Sequence, residues 1–391
     1  MSDPQTLLRS RAWVDVDLGA LRRNLRRVLN AAGPGAAVVP MIKADAYGLG
    51  AAAVVRACRA ELSRDELWGF GVAAVAEGEA LRAMGWPGPV TVFAVAPPGE
   101  YARAAAADLT LALSDPEAVR GWAAAALASG RRLRFQTEVD TGMGRAGFPW
   151  ERAAEWGPVV AEAAGDLIAW VGCFTHFHSA DELDLAPTDA QWERFRAAVA
   201  ALPPAEAGGP AGPVHAANSA AALRRGGYGA GLVRPGIFLY GGAAGPGAAP
   251  EPVASVRARL ALVREVPAGT TVGYGATYTS AGAERWGTLS VGYGDGVPRR
   301  LGPLGGCVLV RGRRVPILGR ISMDAMVVDL TGVPDARPGD VATLVGRDGG
   351  EEIALDEVAA RCGTISYEIL TGLGPRLPRV HTDGAGERAG A

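Results

Sequence analysis

Two kinds of hydrophobic pattern alternate along the chain up to residue 241. Short apolar runs of strand length are separated by longer segments in which apolar positions recur as on one face of a helix. In the segment 20–32, for example, Leu21, Leu25 and Leu29 fall on one helical face. The strand candidates are residues 36–42, 69–73, 90–95, 109–113, 133–139, 167–174, 213–215 and 232–239.

The number of these runs predicts the fold of the first part of the chain. Eight strands that alternate with helices are typical of an α/β protein with a parallel sheet. The count of eight favours a closed (β/α)8 barrel, the TIM-barrel architecture, over an open doubly wound sheet, which stays open as the alternative.

The pattern changes after residue 241. Residues 242–252 are rich in glycine and proline and are typical of a linker. Beyond them, short strands with frequent turns predict a mainly-β domain over residues 253–381, with one late helix near Leu355–Arg361. The predicted organisation is an N-terminal segment (1–12), a barrel (13–241), the linker, the β-domain and a disordered tail (382–391). The second domain is the candidate surface on which the N-terminal segment packs.

Composition and charge limit the classes of function. Of the 391 residues, 20% are charged, and the net charge is −2. This balance offers no basic surface for nucleic acid or for an anionic membrane, so neither is predicted as a partner. The four cysteines form no CxxC pair and no apolar run reaches membrane-spanning length, which is typical of a cytoplasmic protein with reduced thiols.

The carboxyl ends of the predicted strands carry the candidate functional residues, because the active sites of such barrels lie there. The first strand ends on Lys43, where a charged amine is costly to bury unless it has a task or a partner. A desolvated lysine amine can act as a nucleophile or as a base. An ordinary solvent-exposed lysine is the alternative that the position alone leaves open.

The other strand ends add an anion site and two arginines. The fifth strand ends in a glycine-rich turn with Glu138 and Arg145, and the eighth contains Arg234 and Gly236. Ser219 follows the seventh strand, and barrels of this type often bind phosphate after strands seven and eight. A lysine together with a phosphate pocket indicates pyridoxal phosphate, which binds lysine through a Schiff base.

Each of these residues also has a simpler interpretation. Arg145 and Arg234 could be salt-bridge partners at the barrel mouth, and Ser219 could be only a helix N-cap. His176 and His178 form a His-x-His pattern like that of metal-dependent barrel hydrolases. Because the chain has four histidines in total, one of them near the tail, no metal site is predicted.

The strand-end motifs, together with tyrosine-bearing turns in the second domain, resemble those of bacterial alanine racemases from about Trp13 to about Val380. Each motif is weak by itself, but their number and order are specific. The motifs are Met41-Ile42-Lys43-Ala44-Asp45-Ala46-Tyr47-Gly48, Val139-Asp140-Thr141-Gly142-Met143-Gly144-Arg145, Thr175-His176-Phe177, Ala217-Asn218-Ser219, Arg234-Pro235-Gly236-Ile237, Gly273-Tyr274-Gly275-Ala276-Thr277-Tyr278, Gly292-Tyr293-Gly294-Asp295-Gly296 and Met323-Asp324.

The resemblance implies a (β/α)8 barrel, a C-terminal β-domain and a head-to-tail homodimer with active sites at the interface. It implies interconversion of L- and D-alanine, a small amino-acid substrate, with pyridoxal 5'-phosphate as the cofactor and D-alanine supplied to peptidoglycan. Lys43 would bind the cofactor covalently and act as acid or base on one face of the substrate Cα. Tyr274 from the partner subunit would act on the opposite face.

The resemblance also assigns roles around this pair. Arg234 would face the pyridine nitrogen of the cofactor and keep it unprotonated, and His176 would link Arg234 to Tyr274. Arg145 and the backbone at Met323 would hold the substrate carboxylate. The cofactor-binding set is completed by Asn218 and by the phosphate ligands Tyr47, Ser219, Gly236, Ile237 and Tyr367, and the supporting positions are Glu138, Tyr293, near the access passage, and Asp324.

The sequence departs from the family pattern at three positions. Many members carry, where this chain has Glu138, a lysine that becomes carbamylated and braces the arginine that corresponds to Arg145. We hypothesise that Glu138 supplies this negative charge on a shorter stem. Ser322 stands where cysteine is frequent and Leu49 where histidine is frequent; neither change is expected to abolish activity, although Ser322 could alter side-chain preference.

Two other functions stay open at this point. One is a related racemase that acts on serine or on a broader set of amino acids. The other is a non-catalytic cofactor-binding protein made of the barrel alone, and the second domain with Tyr274 argues against it.

Overall fold

The structure is a computed structural model that describes residues 10–224, 227–228, 231–247, 249–384 and 387–388. Strand β1 (Ala12–Asp17) comes first, and helix α1 (Leu18–Ala32) begins directly after it. The carboxylate of Asp17 caps this helix by accepting a hydrogen bond from the N–H of Ala20 at 2.9 Å. The predicted leucine face of α1 is buried, so the helical pattern is confirmed.

A closed barrel of eight parallel strands follows, which confirms the predicted fold of the first part. Its strands are β2 (Ala37–Val38), β3 (Phe70–Val72), β4 (Val90–Val92), β5 (Thr110–Leu113), β6 (Leu133–Asp140), β8 (Ile168–Phe174), β9 (Val214–His215) and β10 (Leu232–Val233), with the short β7 (Phe148–Pro149) beside β6. Strands β3, β4, β5, β6, β8 and β9 pair in that order, and β10 pairs with β2. A parallel bridge from Met41 to Gly71 and a 2.9 Å hydrogen bond from the N–H of Arg234 to the carbonyl of Ala217 close the ring.

Helices cover the outside of this barrel. They are α2 (Ala51–Glu61), α3 (Val75–Ala83), α4 (Tyr101–Ala106), α5 (Pro116–Ser129), α6 (Ala153–Ala164), α7 (Ala186–Ala201) and α8 (Ser219–Arg224). The eighth strand was predicted to reach residue 239 but stops at Val233. Pro235 has no N–H for a strand ladder, and a 3-10 turn forms at Ile237–Tyr240. No helix in the described ranges is long and apolar enough to cross a membrane.

The second domain is mainly β, as predicted. Its strands are β11 (Ala254–Val266), β12 (Thr271–Val272), β13 (Tyr278–Thr279), β14 (Glu284–Leu289), β15 (Cys307–Val310), β16 (Arg313–Leu318), β17 (Met326–Asp329), β18 (Val341–Asp348) and β19 (Glu351–Ile353), followed by helices α9 (Leu355–Arg361) and α10 (Ser366–Thr371) and strands β20 (Arg379–Gly384) and β21 (Glu387–Arg388). The antiparallel pairing of β11 with β18 closes the central strands into a second ring. Helix α9 was predicted and α10 was not.

The structure differs from the predicted domain boundaries at the start of the barrel and at the end of the second domain. Strand β1 pairs with β11, where Val14 faces Val256, and with β20, so residues from Trp13 belong to the second sheet and not to the barrel. An alternating pattern predicts a strand but not its partner, which is set by contacts far along the chain. Residues 382–384 continue β20 and 387–388 form β21, so this part of the predicted tail is ordered. The rest of the tail and residues 1–9 lie outside the described residues.

A buried carboxylate ties the start of the chain to the second domain. Asp295 has no exposed surface, and both guanidinium nitrogens of Arg11 bind it at 2.5 and 3.0 Å. Arg376 adds a contact at 3.0 Å and the N–H of Gly292 donates to the same carboxylate at 3.0 Å. Burial alone would raise the pKa of Asp295, but the Arg11 hydrogen bond, the N–H of Gly292 and the charge of Arg376 hold this pKa below its ordinary value.

We expect the substitution Asp295→Asn to lower the free energy of unfolding by about 2 kcal/mol at neutral pH, because two partly exposed guanidinium groups lose their buried anion. A carboxyl whose folded pKa is depressed stabilises the fold above its unfolded pKa and loses this effect as the pH falls through the folded pKa. The difference should therefore shrink in acid. Urea unfolding at neutral and at acid pH measures this difference, with Asp335→Asn at an exposed position as the control. An equal loss of stability at the two pH values would contradict the role of the Asp295 charge.

Candidate functional site

Lys43 lies half-buried at the carboxyl end of the first barrel strand. Burial lowers the pKa of its amine, the positive charge of Arg145 lowers it further, and the carboxylate of Glu77 opposes them. The Nζ atom is 6.0 Å from the centre of the Tyr47 ring. A lysine whose neutral form is favoured in this way can act as a nucleophile or a base.

The segment after Lys43 has an unusual backbone. Ala44, Asp45, Ala46 and Tyr47 have φ angles of +52°, +53°, +55° and +56°, so four consecutive non-glycine residues form a left-handed turn. Each such residue costs about 1–2 kcal/mol relative to the right-handed form. Strain of this kind persists only where the surroundings hold it, and it is concentrated at functional sites.

The left-handed turn places Tyr47 in a pocket of hydroxyl groups. Its ring stacks on Tyr240 at 4.5 Å between centres and lies 6.0 Å from the ring of Tyr367. A Cβ atom added at Gly236 would lie 2.3 Å from the Tyr47 hydroxyl, so a larger residue there requires the tyrosine or the backbone to move. Ser219 Oγ accepts from the N–H of Gly236 at 2.9 Å, which leaves the serine proton to donate to a ligand.

These hydroxyl groups suit an anion. Burial raises the pKa of Tyr367 to about 12 and also raises that of Tyr47, so both hydroxyls keep their protons at neutral pH. Asn218 supports the pocket indirectly, because its Oδ1 caps helix α8 by accepting from the N–H of Ala221 at 3.0 Å. Ile237 is buried and starts the 3-10 turn that follows Gly236.

Arg234 is a buried guanidinium on the eighth strand end. Its Nη1 donates to Nδ1 of His215 at 2.5 Å, and its Nη2 donates to the carbonyl of Thr175 at 2.8 Å. Nε2 of His215 lies 2.8 Å from Oε1 of Gln136, so this nitrogen carries the proton and the ring is neutral. Burial lowers the pKa of Arg234 to about 10, and burial and the charge of Arg234 lower the pKa of His215 well below its ordinary value.

Three further predicted residues face the same mouth. Burial lowers the pKa of His176 to about 3, and the charges of Arg234, Arg145 and Lys43 act in the same direction, so His176 is neutral. Glu138 is 3% exposed, and burial raises its pKa while Arg145 and Arg234 lower it. Among the described residues, no ion pair within 4.0 Å joins Glu138 to either arginine, and Arg145 itself is exposed.

The second-domain candidates lie apart from this group, except for Tyr367. Tyr274 sits in the turn between β12 and β13, where it is 65% exposed and its hydroxyl has no hydrogen-bond partner in the described ranges. Met323 is 51% exposed and Tyr293 is 38% exposed. Asp324 accepts a hydrogen bond from Arg376 at 2.7 Å. Within one chain these residues do not join Lys43.

Sequence reasoning overlooked two features of the site. The first is His215, which was not predicted to contact Arg234 and whose Nδ1 atom accepts a hydrogen bond from it at 2.5 Å. The link that His176 would form between Arg234 and Tyr274 stays a prediction. The second feature is composition, because Lys43 is the only lysine in a chain with 39 lysines and arginines combined. Arginine can replace lysine as a charge but not as an amine nucleophile, so a single retained lysine is itself a functional signal.

The histidine pair after β8 does not form a metal centre with other ligands in the described part of the chain, which contains no group of three or more metal-ligating side chains. His178 is exposed and its Nδ1 contacts Ser179 Oγ at 2.6 Å. The residues that do converge fit pyridoxal phosphate. The Lys43 amine suits its carbonyl carbon, the hydroxyl pocket suits its phosphate, and Arg234 suits its pyridine nitrogen.

Known proteins with this sequence pattern and fold share one description. The family model described as alanine racemase, N-terminal domain, matches residues 16–244, and that of the C-terminal domain matches 253–381. A relative from Symbiobacterium thermophilum named alanine racemase is 39% identical and covers 94% of this chain and 96% of its own length. The solved alanine racemase from Streptomyces coelicolor A3(2) is 37% identical, with a TM-score of 0.87, and the alignment covers 98% of this chain and 100% of that one. A solved alanine racemase from Bartonella henselae with covalently bound pyridoxal phosphate is 27% identical, with a TM-score of 0.84 and coverage of 95% and 99%.

The substitution Gly236→Ala tests the hydroxyl pocket. Its Cβ would meet the Tyr47 hydroxyl at 2.3 Å, so the tyrosine or the strand end must move. Overpacking of this kind costs about 1–3 kcal/mol, which corresponds to binding of pyridoxal phosphate to the apoprotein that is weaker by about tenfold to a hundredfold. Titration by absorbance measures this affinity. Gly99→Ala is the matched control, because no atom lies within 4 Å of its added Cβ; equal affinities for the two variants would contradict the pocket.

Proposed function

The chain belongs to the alanine racemase family, and from this premise we propose how its own residues carry out the reaction. The protein is a pyridoxal-phosphate-dependent racemase that interconverts L-alanine and D-alanine. Relatives and solved structures carry the alanine racemase name, so a racemase for serine or for several amino acids is not favoured.

The observation that carries this function is the position of the only lysine. Lys43 ends a barrel strand with its amine desolvated, and the strained turn after it leads directly into the hydroxyl pocket of Tyr47, Ser219 and Gly236. One short segment thus presents a nucleophilic amine and an anion site together. Lys43 would hold the cofactor covalently, and the hydroxyl pocket would hold its phosphate.

The other barrel residues set the charge around the reacting atoms. Pyridoxal phosphate, when bound, stabilises the carbanion that forms as the substrate Cα loses its proton. Arg234 would donate a hydrogen bond to the pyridine nitrogen. Because a guanidinium donates hydrogen bonds but does not release its protons at neutral pH, this nitrogen would stay unprotonated. Arg145, at the open side of the mouth, would bind the substrate carboxylate together with the backbone at Met323.

Racemisation removes the Cα proton on one face of the substrate and returns a proton on the other, which needs two acid–base groups. Lys43 would serve one face of Cα. For the other face we assign Tyr274, which is 65% exposed and lacks a hydrogen-bond partner in the described residues of its own chain. Tyr274 of a second copy would reach the barrel mouth in a head-to-tail dimer. The exposed Met323, Tyr293 and Ile365 offer apolar surface for such a contact.

The product suggests a cellular role. D-alanine is a constituent of peptidoglycan, so the enzyme would supply peptidoglycan synthesis. A cytoplasmic location is proposed with it, and it is supported by the four cysteines, which are all unpaired within the described residues.

The decisive experiment measures D-alanine formed from L-alanine by the protein with pyridoxal phosphate. Lys43→Ala and Tyr274→Phe should each be inactive when pure. In a head-to-tail dimer, a mixed pair has one site with both Lys43 and Tyr274 intact and one site with neither. Random exchange of subunits at equal amounts therefore restores about one quarter of the wild-type activity.

Two results would contradict different parts of this proposal. If the wild type forms no D-amino acid from L-alanine, the activity itself is wrong. If the wild type is active but the mixture of variants stays inactive after verified subunit exchange, Tyr274 does not come from a second chain. Mixing Lys43→Ala with itself is the matched control and should restore nothing.

Glu138 completes the proposed site. It is the buried carboxylate whose charge acts on both Arg145 and Arg234. We propose that it holds Arg145 in the orientation for the substrate carboxylate, in place of the carbamylated lysine of other family members. The two groups lie beyond direct ion-pair distance, so a bridging water would complete the contact.

The substitution Glu138→Gln should lower kcat/KM for L-alanine by about tenfold, since Arg145 loses a negative charge in a partly desolvated site. Most of the effect should fall on KM, because Arg145 would act in binding the carboxylate. Steady-state kinetics in both directions measure it. Glu162→Gln on the exposed face of α6 is the control, and wild-type kinetics in Glu138→Gln would dispose of the assignment.

A further inference from the structure

The strained turn after Lys43 is held at its start by a residue of the neighbouring barrel unit. Glu77 lies on helix α3, and its Oε1 accepts from the N–H of Ala44, the residue next to Lys43, at 2.6 Å. Its Oε2 accepts from the N–H groups of Ala73 and Ala74 at 2.8 and 3.0 Å. One carboxylate thus fastens the residue after Lys43 to the end of the adjacent strand β3.

The same turn is held at its end by the second domain. Nε of Arg379, on strand β20, donates to the carbonyl of Gly48 at 2.8 Å, and Nε2 of His381 contacts the carbonyl of Leu49 at 2.8 Å. The two Nη atoms of Arg379 donate to carbonyls of residues 373–377 at 2.6 to 2.7 Å, so the guanidinium is fixed in place. Gly48 itself has a φ of +81°, and an added Cβ would lie 2.7 Å from the carbonyl oxygen of Leu370.

We infer that Glu77, Arg379 and His381 are positioning residues that fix the amine of Lys43 by holding both ends of its left-handed turn. This inference rests on the proposed function of Lys43. A turn of four left-handed non-glycine residues is strained, so contacts must hold it in place. Local hydrogen bonds hold its middle, such as that from the N–H of Ala51 to the Asp45 carboxylate at 2.7 Å, and the three anchors fix its two ends to the rest of the fold. None of the three residues touches the reacting atoms; they act through the backbone on either side of the turn.

Glu77 has a second effect, which is electrostatic. The groups that act on the Lys43 amine are Arg145, which favours the neutral form, and Glu77, which favours the ammonium form. His176 and the Tyr47 ring also face it, and His176 is neutral. Removing the charge of Glu77 should therefore shift the protonation of Lys43 to lower pH.

The single lysine allows this shift to be measured without cofactor or activity. In the apoprotein, an amine-reactive reagent such as trinitrobenzenesulfonate can modify only Lys43 and the N-terminal amine, and peptide mass spectrometry separates the two. The rate of modification against pH gives the midpoint for Lys43. A residue that only stabilised the fold would change the melting temperature and leave this midpoint where it is.

Glu77→Gln should move the midpoint to lower pH and reduce kcat by about tenfold with little change in KM, because the amine is displaced while the carboxylate site stays intact. Glu79→Gln, two residues along the same helix, is the matched control, since Glu79 pairs with the exposed Arg103. Circular dichroism establishes that both variants are folded at the assay temperature. A folded Glu77→Gln with the wild-type midpoint and kcat would overturn the inference.

The second-domain anchor is tested by a pair of substitutions at one position. His381→Leu removes the donor to the Leu49 carbonyl and should slow both the modification of Lys43 and turnover, whereas His381→Gln keeps an N–H donor and should restore them. Equal behaviour of the two variants would exclude His381 as an anchor. Failure of the proposed function shows differently: the wild type would make no D-alanine, while the labelling midpoint of Glu77→Gln would still shift.

Discussion

The site depends on one buried amine that is held in a fixed position among positive charges. Lys43 is desolvated by burial, and Arg145 adds to the preference for its neutral form. Arg234 lies buried directly after the last strand of the same barrel. This concentration of positive charge favours a ligand with two anionic groups, a phosphate on the hydroxyl pocket and a carboxylate at Arg145. The carboxylates of Glu138 and Glu77 oppose this positive charge. Glu138 lies on strand β6, and Glu77 accepts a hydrogen bond from the backbone next to Lys43.

The buried arginine imposes its own order on the barrel interior. A guanidinium can only donate, so the Nδ1 atom of His215 must accept and its Nε2 atom must carry the proton. That proton needs an acceptor, and Gln136 provides one at 2.8 Å. Three side chains, two on strands β6 and β9 and one directly after β10, are thereby fixed in their hydrogen-bond roles. In this series of hydrogen bonds, Arg234 is the member that faces the site, and it can only donate. A group of this kind suits an acceptor nitrogen that should stay unprotonated.

How much of this was readable from the sequence follows from the range of the interactions. Lys43, Ser219 and Arg234 could be placed together, because periodicity predicted a barrel and strand ends of a barrel meet at one mouth. The assignment of β1 was wrong, since the alternation of Trp13 and its neighbours does not reveal that β11 and β20 are its partners. The left-handed turn was hidden for another reason. Its four residues are not glycine, so the sequence carries no signal for positive φ angles there. The contacts that fix its two ends come from Glu77 and from strand β20, both distant in sequence.

The second domain therefore acts on the chemistry in two directions. Inward, it places Tyr367 beside Tyr47 and brings Arg379 and His381 to the turn of its own Lys43. Outward, it presents the exposed Tyr274 to a second copy in the proposed dimer. Because one domain carries both sets of contacts, a shift of that domain would disturb the lysine of its own barrel and the tyrosine of the neighbouring site together. In the proposed dimer, the two halves of the acid–base pair would thus be coupled through the fold, although each site would draw them from different chains.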